Sequence, residues 1–281
     1  MIDRQTEAAL IGALRDVAKA EILPCFRNLD AADIDTKTGP EDLVTVADRA
    51  AEAAMAERIA RILPDAALVG EEAVSDDPSI LDRLEGKGTC VILDPIDGTA
   101  NFARGNANFG MILAVTEGAE TVLGVLYDPV MDDWIVARKG GGAWFCREGS
   151  DDRRLEVRAS RGAVEATGYL PLYLFPKVHQ PALAALYPRI GRVESLRCSC
   201  HEYRMIAFGH ADFLTSHVSK PWDHAAGQLV VAEAGGDAGM LDGGSYDCRR
   251  ADARLVAASG SALRAEIAGM VIGALGEEVT A

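Results

Sequence analysis

The stretch Val91–Asn101, VILDPIDGTAN, most constrains what this chain can fold into. The apolar run Cys90–Leu93 reads as a short buried strand that stops at two carboxylates three positions apart, Asp94 and Asp97, with a proline between them. Pro95 fixes the backbone after the first acid, Gly98 permits a tight turn, and Thr99 offers a hydroxyl where a helix can start. Carboxylates held this close repel one another unless a proton or a metal lies between them. Hard oxygen donors select Mg²⁺, Mn²⁺ or Ca²⁺ over softer ions. The same residues also make an ordinary acidic surface turn, with Asp and Gly present for turn chemistry alone.

The rest of the chain supplies elements around that strand end. Apolar residues at Leu10, Ile11, Leu14, Val17 and Ile22 predict an amphipathic helix over Thr6–Leu23, stopped by Pro24. Asp30–Glu41 reads as a loop or irregular hairpin carrying the solitary Lys37, and Val46–Leu63 as a second helix with Asp48 in its first turn. The strand Ala67–Gly70 also ends in acids, Glu71 and Glu72. Strand C-termini in one sheet lie side by side, which brings Glu71 toward Asp94 and Asp97. Phe109–Thr116, Thr121–Tyr127 and Trp134–Ala137 read as an antiparallel meander, so the first half is α+β.

A polar stretch around Gly149–Arg154 marks a boundary between an N-terminal domain, 1–150, and a C-terminal domain, 151–281. Helices are expected at Pro181–Ile190, His201–Gly209, Asp223–Ala234 and Ala262–Leu275, with strands at Ala211–Leu214 and Leu255–Ala258, so this half reads α/β. Within it, KPWDHAAG (Lys220–Gly227) sets Asp223 at a helix start and follows it with small residues that allow close backbone approach. Asp223 is a helix cap or a metal ligand on this reading. His224 is a hydrogen-bonded buried histidine, with a ligand or base as the alternative.

At 281 residues and 49 % hydrophobic content the chain can bury a core without disulfide staples. Its net charge of −15 opposes binding to nucleic acid or anionic membranes, so a protein of this kind that handles phosphate needs cations. The N-terminus lacks the basic start and apolar run of a signal sequence, no segment reaches about 18 uninterrupted apolar residues, and the six cysteines are scattered. A reduced, soluble, cytoplasmic protein is expected.

Taken together, DLVTVAD (Asp42–Asp48), GEE (Gly70–Glu72), LDPIDGTANF (Leu93–Phe102) and PWDHAAGQLVVAEAGG (Pro221–Gly236) resemble the inositol monophosphatase family, in order and spacing across nearly the whole chain. The D-x-x-D spacing departs from the haloacid-dehalogenase signature. The resemblance implies a layered αβαβα sandwich of the inositol monophosphatase and fructose-1,6-bisphosphatase type, a homodimer, and two or three Mg²⁺ ions, with Mn²⁺ as a substitute. Glu71, Asp94 and the carbonyl of Ile96 would hold one ion, and Asp94, Asp97 and Asp223 a second. Thr99 with Asp48, alongside Glu71, would prepare the attacking water, the amides of Gly98 and Thr99 would cradle phosphate, and Lys37 matches the family's loop lysine.

On the substrate side the sequence departs from the family. Ser216 stands where many members have a hydroxyl-binding Glu, and RCSCH (Arg197–His201) replaces a small Gly-Ser/Thr-Ala segment. Arg197, His201 or Arg204 would then recognise a different alcohol or a second anionic group, or merely pack or face solvent. The expected activity is hydrolysis of a small phosphorylated polyol such as an inositol monophosphate. Histidinol-phosphate, fructose-bisphosphate and 3′-phosphonucleotide hydrolysis are alternatives, as is a non-enzymatic regulatory protein.

Overall fold

The computed structural model describes residues 2–37, 39, 43–250 and 253–276. Glu41 and Asp42, which belong to the expected loop and the first motif, lie outside the described residues. Asp3 opens α1 (Arg4–Val17) by accepting the amide of Thr6 at 2.7 Å, and a π turn, Ala18–Ile22, continues the helix as far as the proline allows. β1 (Ile34–Thr36) and β2 (Leu43–Thr45) pair antiparallel. Thr45 then caps α2 (Val46–Ile62) in a reciprocal box with Asp48.

β3 (Ala67–Gly70) runs into α3 (Glu71–Asp76), and β4 (Thr89–Asp97) into α4 (Thr99–Ala103). The expected meander follows as β5 (Gly110–Glu117), β6 (Glu120–Asp128) and β7 (Asp133–Arg138), then continues past the Gly140–Gly142 turn into β8 (Gly142–Arg147) and β9 (Arg153–Arg154). These strands form one seven-stranded sheet in sequence order, with β3–β4 its parallel pair.

The second half contributes β10 (Thr167–Tyr169), α5 (Gln180–Ala184), β11 (Arg192–Glu194), α6 (Ser199–Ala207), β12 (Phe213–Ser216), α7 (Pro221–Glu233), β13 (Asp237–Met240), β14 (Leu255–Ala258) and α8 (Ser261–Leu275). Its strands make a five-stranded sheet ordered β11-β10-β12-β14-β13. The helix expected over Pro181–Ile190 is shorter, because Pro188 lacks an amide donor and the chain tightens into a 3₁₀ turn at Tyr187–Arg189. The strand expected at Ala211–Leu214 lies two residues later, which places Ser216 at its end.

Side-chain alternation along the strands assigns the layers. Val91, Leu93, Met111, Leu113 and Val125 pack with α1 and α2, while Ile92, Ile112, Ala114 and Leu126 share a core with Tyr203 and Ile206 of α6 and Ala225, Ala226 and Val230 of α7. The same central core takes in Met240, Leu255 and Ala257 of the second sheet, whose other face packs Phe213, Val256 and Ala258 on Leu263, Ile267 and Val271 of α8. The layers are therefore αβαβα. Gly124 is what lets α7 lie flat on β6, since a Cβ there would stand 2.8 Å from the Ala226 carbonyl oxygen. The seven-stranded sheet runs past residue 150 to β9 (Arg153–Arg154), and α7, from the second half, covers that sheet. Among the described residues no helix is long and apolar enough to cross a membrane.

Candidate active site

Parallel pairing sets Gly70 beside Leu93, so Glu71 and Asp94 leave neighbouring strand ends. The β4–β5 register slips between Asp94, opposite Ile112, and Asp97, opposite Gly110. This bulge allows two acids three residues apart to converge. Asp223, in the first turn of α7, reaches the same place from the other half of the chain, and one oxygen from each of Asp94, Asp97 and Asp223 lies within 4.8 Å of the others.

Local hydrogen bonds fix these groups. Asp94 accepts the Ile96 amide at 3.0 Å, and Asp97 accepts the Cys200 amide at 2.5 Å and the Cys198 thiol at 3.1 Å. Asp94 is 1 % exposed and Asp97 7 %. Burial, then the charges of Glu71, Asp97 and Asp223, hold the Asp94 carboxyl well above its usual range. Burial and Asp223 push Asp97 up to about 7. Oxygen-only donors that repel one another in a largely buried pocket suit a hard divalent cation, which would relieve both the desolvation and the repulsion.

Two flanks complete the cup. On one, Thr99 Oγ1 lies 3.1 Å from Asp48 Oδ1 and 3.0 Å from the Ile96 carbonyl oxygen, so its single proton can serve either acceptor. Asp48 is buried and pushed up to about 6 by that burial, while its other oxygen accepts from the amide and hydroxyl of Thr45. Gly98, at φ 86°, makes the turn between β4 and α4, and a Cβ there would meet the Asn108 carbonyl oxygen at 2.9 Å. On the other flank Lys37 is not solvated: its ammonium bridges Glu71 at 3.0 Å and Glu72 at 2.6 Å. Burial works against that charge, yet the two carboxylates hold it above the usual lysine range.

Beside the acids opens a cavity of about 140 Å³ whose walls include Asp97, Tyr173, Arg197, Ser216, Lys220 and Asp223. Arg197, at φ 55°, lays its guanidinium over the Tyr173 ring at 4.9 Å. Ser216 borders the cavity but donates its hydroxyl to the Val218 carbonyl at 2.8 Å.

The other two basic candidates point elsewhere. Arg204 is buried, pairs with Asp133 and donates to the Leu126 carbonyl, and His201 sets Nε2 3.0 Å from the Phe109 carbonyl oxygen. Both lie on α6 where it meets the seven-stranded sheet, so burial turns them into ties for β5 and β6. His224 is buried at the cavity wall, its Nδ1 3.1 Å from the Tyr203 hydroxyl, and burial pushes it down to about 3.

Three residues have partners that motif reading does not announce. Asn101 donates one amide to the carbonyls of Asn108 and Leu196, tying the α4 turn to the loop before α6. Glu72 shares Lys37, and Glu202 reaches back to accept the Leu196 amide at 2.9 Å. The acids of GEE were visible in sequence, but no local pattern announces the long-range partners of Asn101 or Glu202.

Comparison with known proteins gives the family and the fold. The family model described as "Inositol monophosphatase family" matches residues 3–276. A Thermotoga maritima protein named fructose-1,6-bisphosphatase/inositol-1-monophosphatase is 32 % identical over 204 residues, 73 % of each chain. The Nus factor SuhB of Haemophilus influenzae is 32 % identical over 243 residues, covering 83 % of this chain and 85 % of that protein. Among solved structures, a Thermotoga maritima IMPase superimposes with a TM-score of 0.80 at 26 % identity, over 98 % of this chain and 99 % of the other. The converging acids, the layered fold and the family match along almost the entire sequence thus agree, and the chain belongs to the inositol monophosphatase family of phosphoric monoester hydrolases.

Proposed function

We propose that this chain is a Mg²⁺-dependent phosphomonoesterase acting on a small phosphorylated polyol of the inositol monophosphate type. The observation that carries the reading is the convergence of Asp94, Asp97 and Asp223 within 4.8 Å, beside a hydroxyl, Thr99, already hydrogen-bonded to Asp48. Glu71, Asp94 and the Ile96 carbonyl would hold one Mg²⁺ ion, and Asp94, Asp97 and Asp223 another. When bound, such ions lower the pKa of coordinated water and offset charge on phosphoryl oxygens. The chain's own part is to position the attacking water through Thr99, receive its proton at Asp48, and present the Gly98 and Thr99 amides to the phosphate.

The alcohol would enter the 140 Å³ cavity, where Arg197 and Lys220 both stand in the wall. Those two cations favour a second reading, a substrate with a further anionic group, such as a sugar bisphosphate. In either reading the protein is cytoplasmic and homodimeric, with Lys37 closing over the cup. Its net charge of −15 disfavours nucleic acid and anionic membrane as partners.

Several relatives carry the name of a Nus factor rather than of a phosphatase, so phosphate release is the decisive measurement. Release from a panel of phosphomonoesters in millimolar Mg²⁺, abolished by EDTA, is expected. No release from any of them would overturn the reading, and the ranking within the panel separates monophosphates from bisphosphates.

A further inference from the structure

We infer that Glu52 is a positioning residue for the cation site, holding Glu71 in place without touching the ion itself. Glu52 lies one helical turn after Asp48 on α2, is 7 % exposed, and appears in none of the motifs that mark the site. Its Oε2 accepts the Glu72 amide at 2.9 Å and its Oε1 the Ala73 amide at 2.8 Å, so one carboxylate caps the first turn of α3, the turn that carries Glu71. Both oxygens point at backbone donors. Their contact with the chain fixes the path of residues 70–73, and thus the distance of the Glu71 carboxylate from Asp94.

The glycine of GEE fits this role independently. A Cβ at Gly70 would fall within 2.6 Å of both Glu52 oxygens, so the chain can pass over the carboxylate only where no side chain begins. Asp48 and Glu52, four residues apart on one face of α2, therefore index two strand ends at once: Asp48 ties Thr99 after β4, and Glu52 ties the Glu72 and Ala73 amides, next to Glu71, after β3. A helix fixed to both keeps the two flanks of the cup in register.

This inference rests on the metal reading above, and its test does not depend on turnover. Glu52→Gln keeps the size but turns an NH₂ toward one of the two amides, losing one charge-assisted hydrogen bond. Calorimetric titration with Mn²⁺ is expected to show roughly tenfold weaker binding, a factor set by a bond of about 1.5 kcal/mol. In phosphate-release assays the Mg²⁺ concentration for half-maximal rate should rise by the same factor, with kcat at saturating Mg²⁺ within about threefold of wild type.

Gly70→Ala should give the same cation defect by pushing the carboxylate off its amides, and in a Glu52→Ala background it should add almost nothing. Unchanged Mn²⁺ affinity in Glu52→Gln would overturn the inference. So would additive losses in the double variant, or a fall in the EDTA melting temperature with cation binding intact, which marks a purely structural residue. If phosphate release failed but the Mn²⁺ effects held, only the proposed activity would fall.

Discussion

At Asp94 function and stability pull in opposite directions. Its carboxyl is buried among Glu71, Asp97 and Asp223 and is held well above the usual range by burial first and by those charges second. Asp94→Asn keeps the shape and removes the repulsion, so the metal-free protein should melt a few degrees higher than wild type in EDTA at neutral pH. Phosphate release should fall by more than about 10³-fold, the scale of losing a principal electrostatic group. A variant that kept a tenth of the activity would remove Asp94 from the site.

Glu202 makes a pH-dependent counterpart. Burial pushes its carboxyl up to about 8 from an unfolded value near 4.5, so between these values the folded state holds a proton that the unfolded chain has released. Stability from this group therefore falls as pH rises through that window. Glu202→Gln, isosteric with the protonated acid, should melt level with wild type near pH 5 and a few degrees above it near pH 9, read by calorimetry in EDTA. A constant difference across that range would show that Glu202 is ionised in the fold.

Legibility at this scale follows the chemistry. Acids at strand ends declare themselves because charge there needs a reason, whereas Arg197, His201 and Arg204 sit in one basic run, and only the packing of α6 decides that the first faces the cavity and the others face the sheet.

Among the elements, α7 has the narrowest tolerances. It touches the seven-stranded sheet through Gly124 and α6 through Gly227, where a Cβ would overlap the Tyr203 ring. Gly124→Val should destabilise the protein by roughly 2–4 kcal/mol, because the obstacle is the Ala226 backbone and cannot swing aside. Urea denaturation checks this, and a loss below about 1 kcal/mol would mean that α7 can lift off the sheet.

Helices with long periodic faces, such as Val46–Leu63 and Ala262–Leu275, were readable to within a residue or so. The short strands β10, β11 and β13 were not, because three or four residues carry too little alternation to stand out. The apolar run of β4 ends at Leu93, yet the strand runs to Asp97, because its pairing with β5 continues across the bulge.

At the centre of the molecule three acids, Asp94, Asp97 and Asp223, converge. Cations that bind only the folded state should raise the melting temperature, by roughly 5–10 °C at a hundredfold excess over Kd. Scanning calorimetry in EDTA and in millimolar Mg²⁺ compares the two states, and coincident curves would argue against a built cation site. The layered architecture was legible through the four motifs acting together, since no single strand or helix specifies a sandwich of two sheets. What stayed hidden was the central core, in which Ile92 and Ile112 from the first half meet Ala225 and Val230 from the second.

That shared helix gives the molecule an order of assembly in time. As the chain leaves the ribosome, the strands bearing Glu71, Asp94 and Asp97 are complete well before Asp223 and the rest of α7 exist, so the nascent sheet lacks part of the cover on one face and the third acid of its cluster. One helix, α7, supplies both the remaining cover and the last acid of the cup. A ribosome-bound chain halted before Pro221 should thus remain protease-sensitive, and one extended beyond β14 should become resistant.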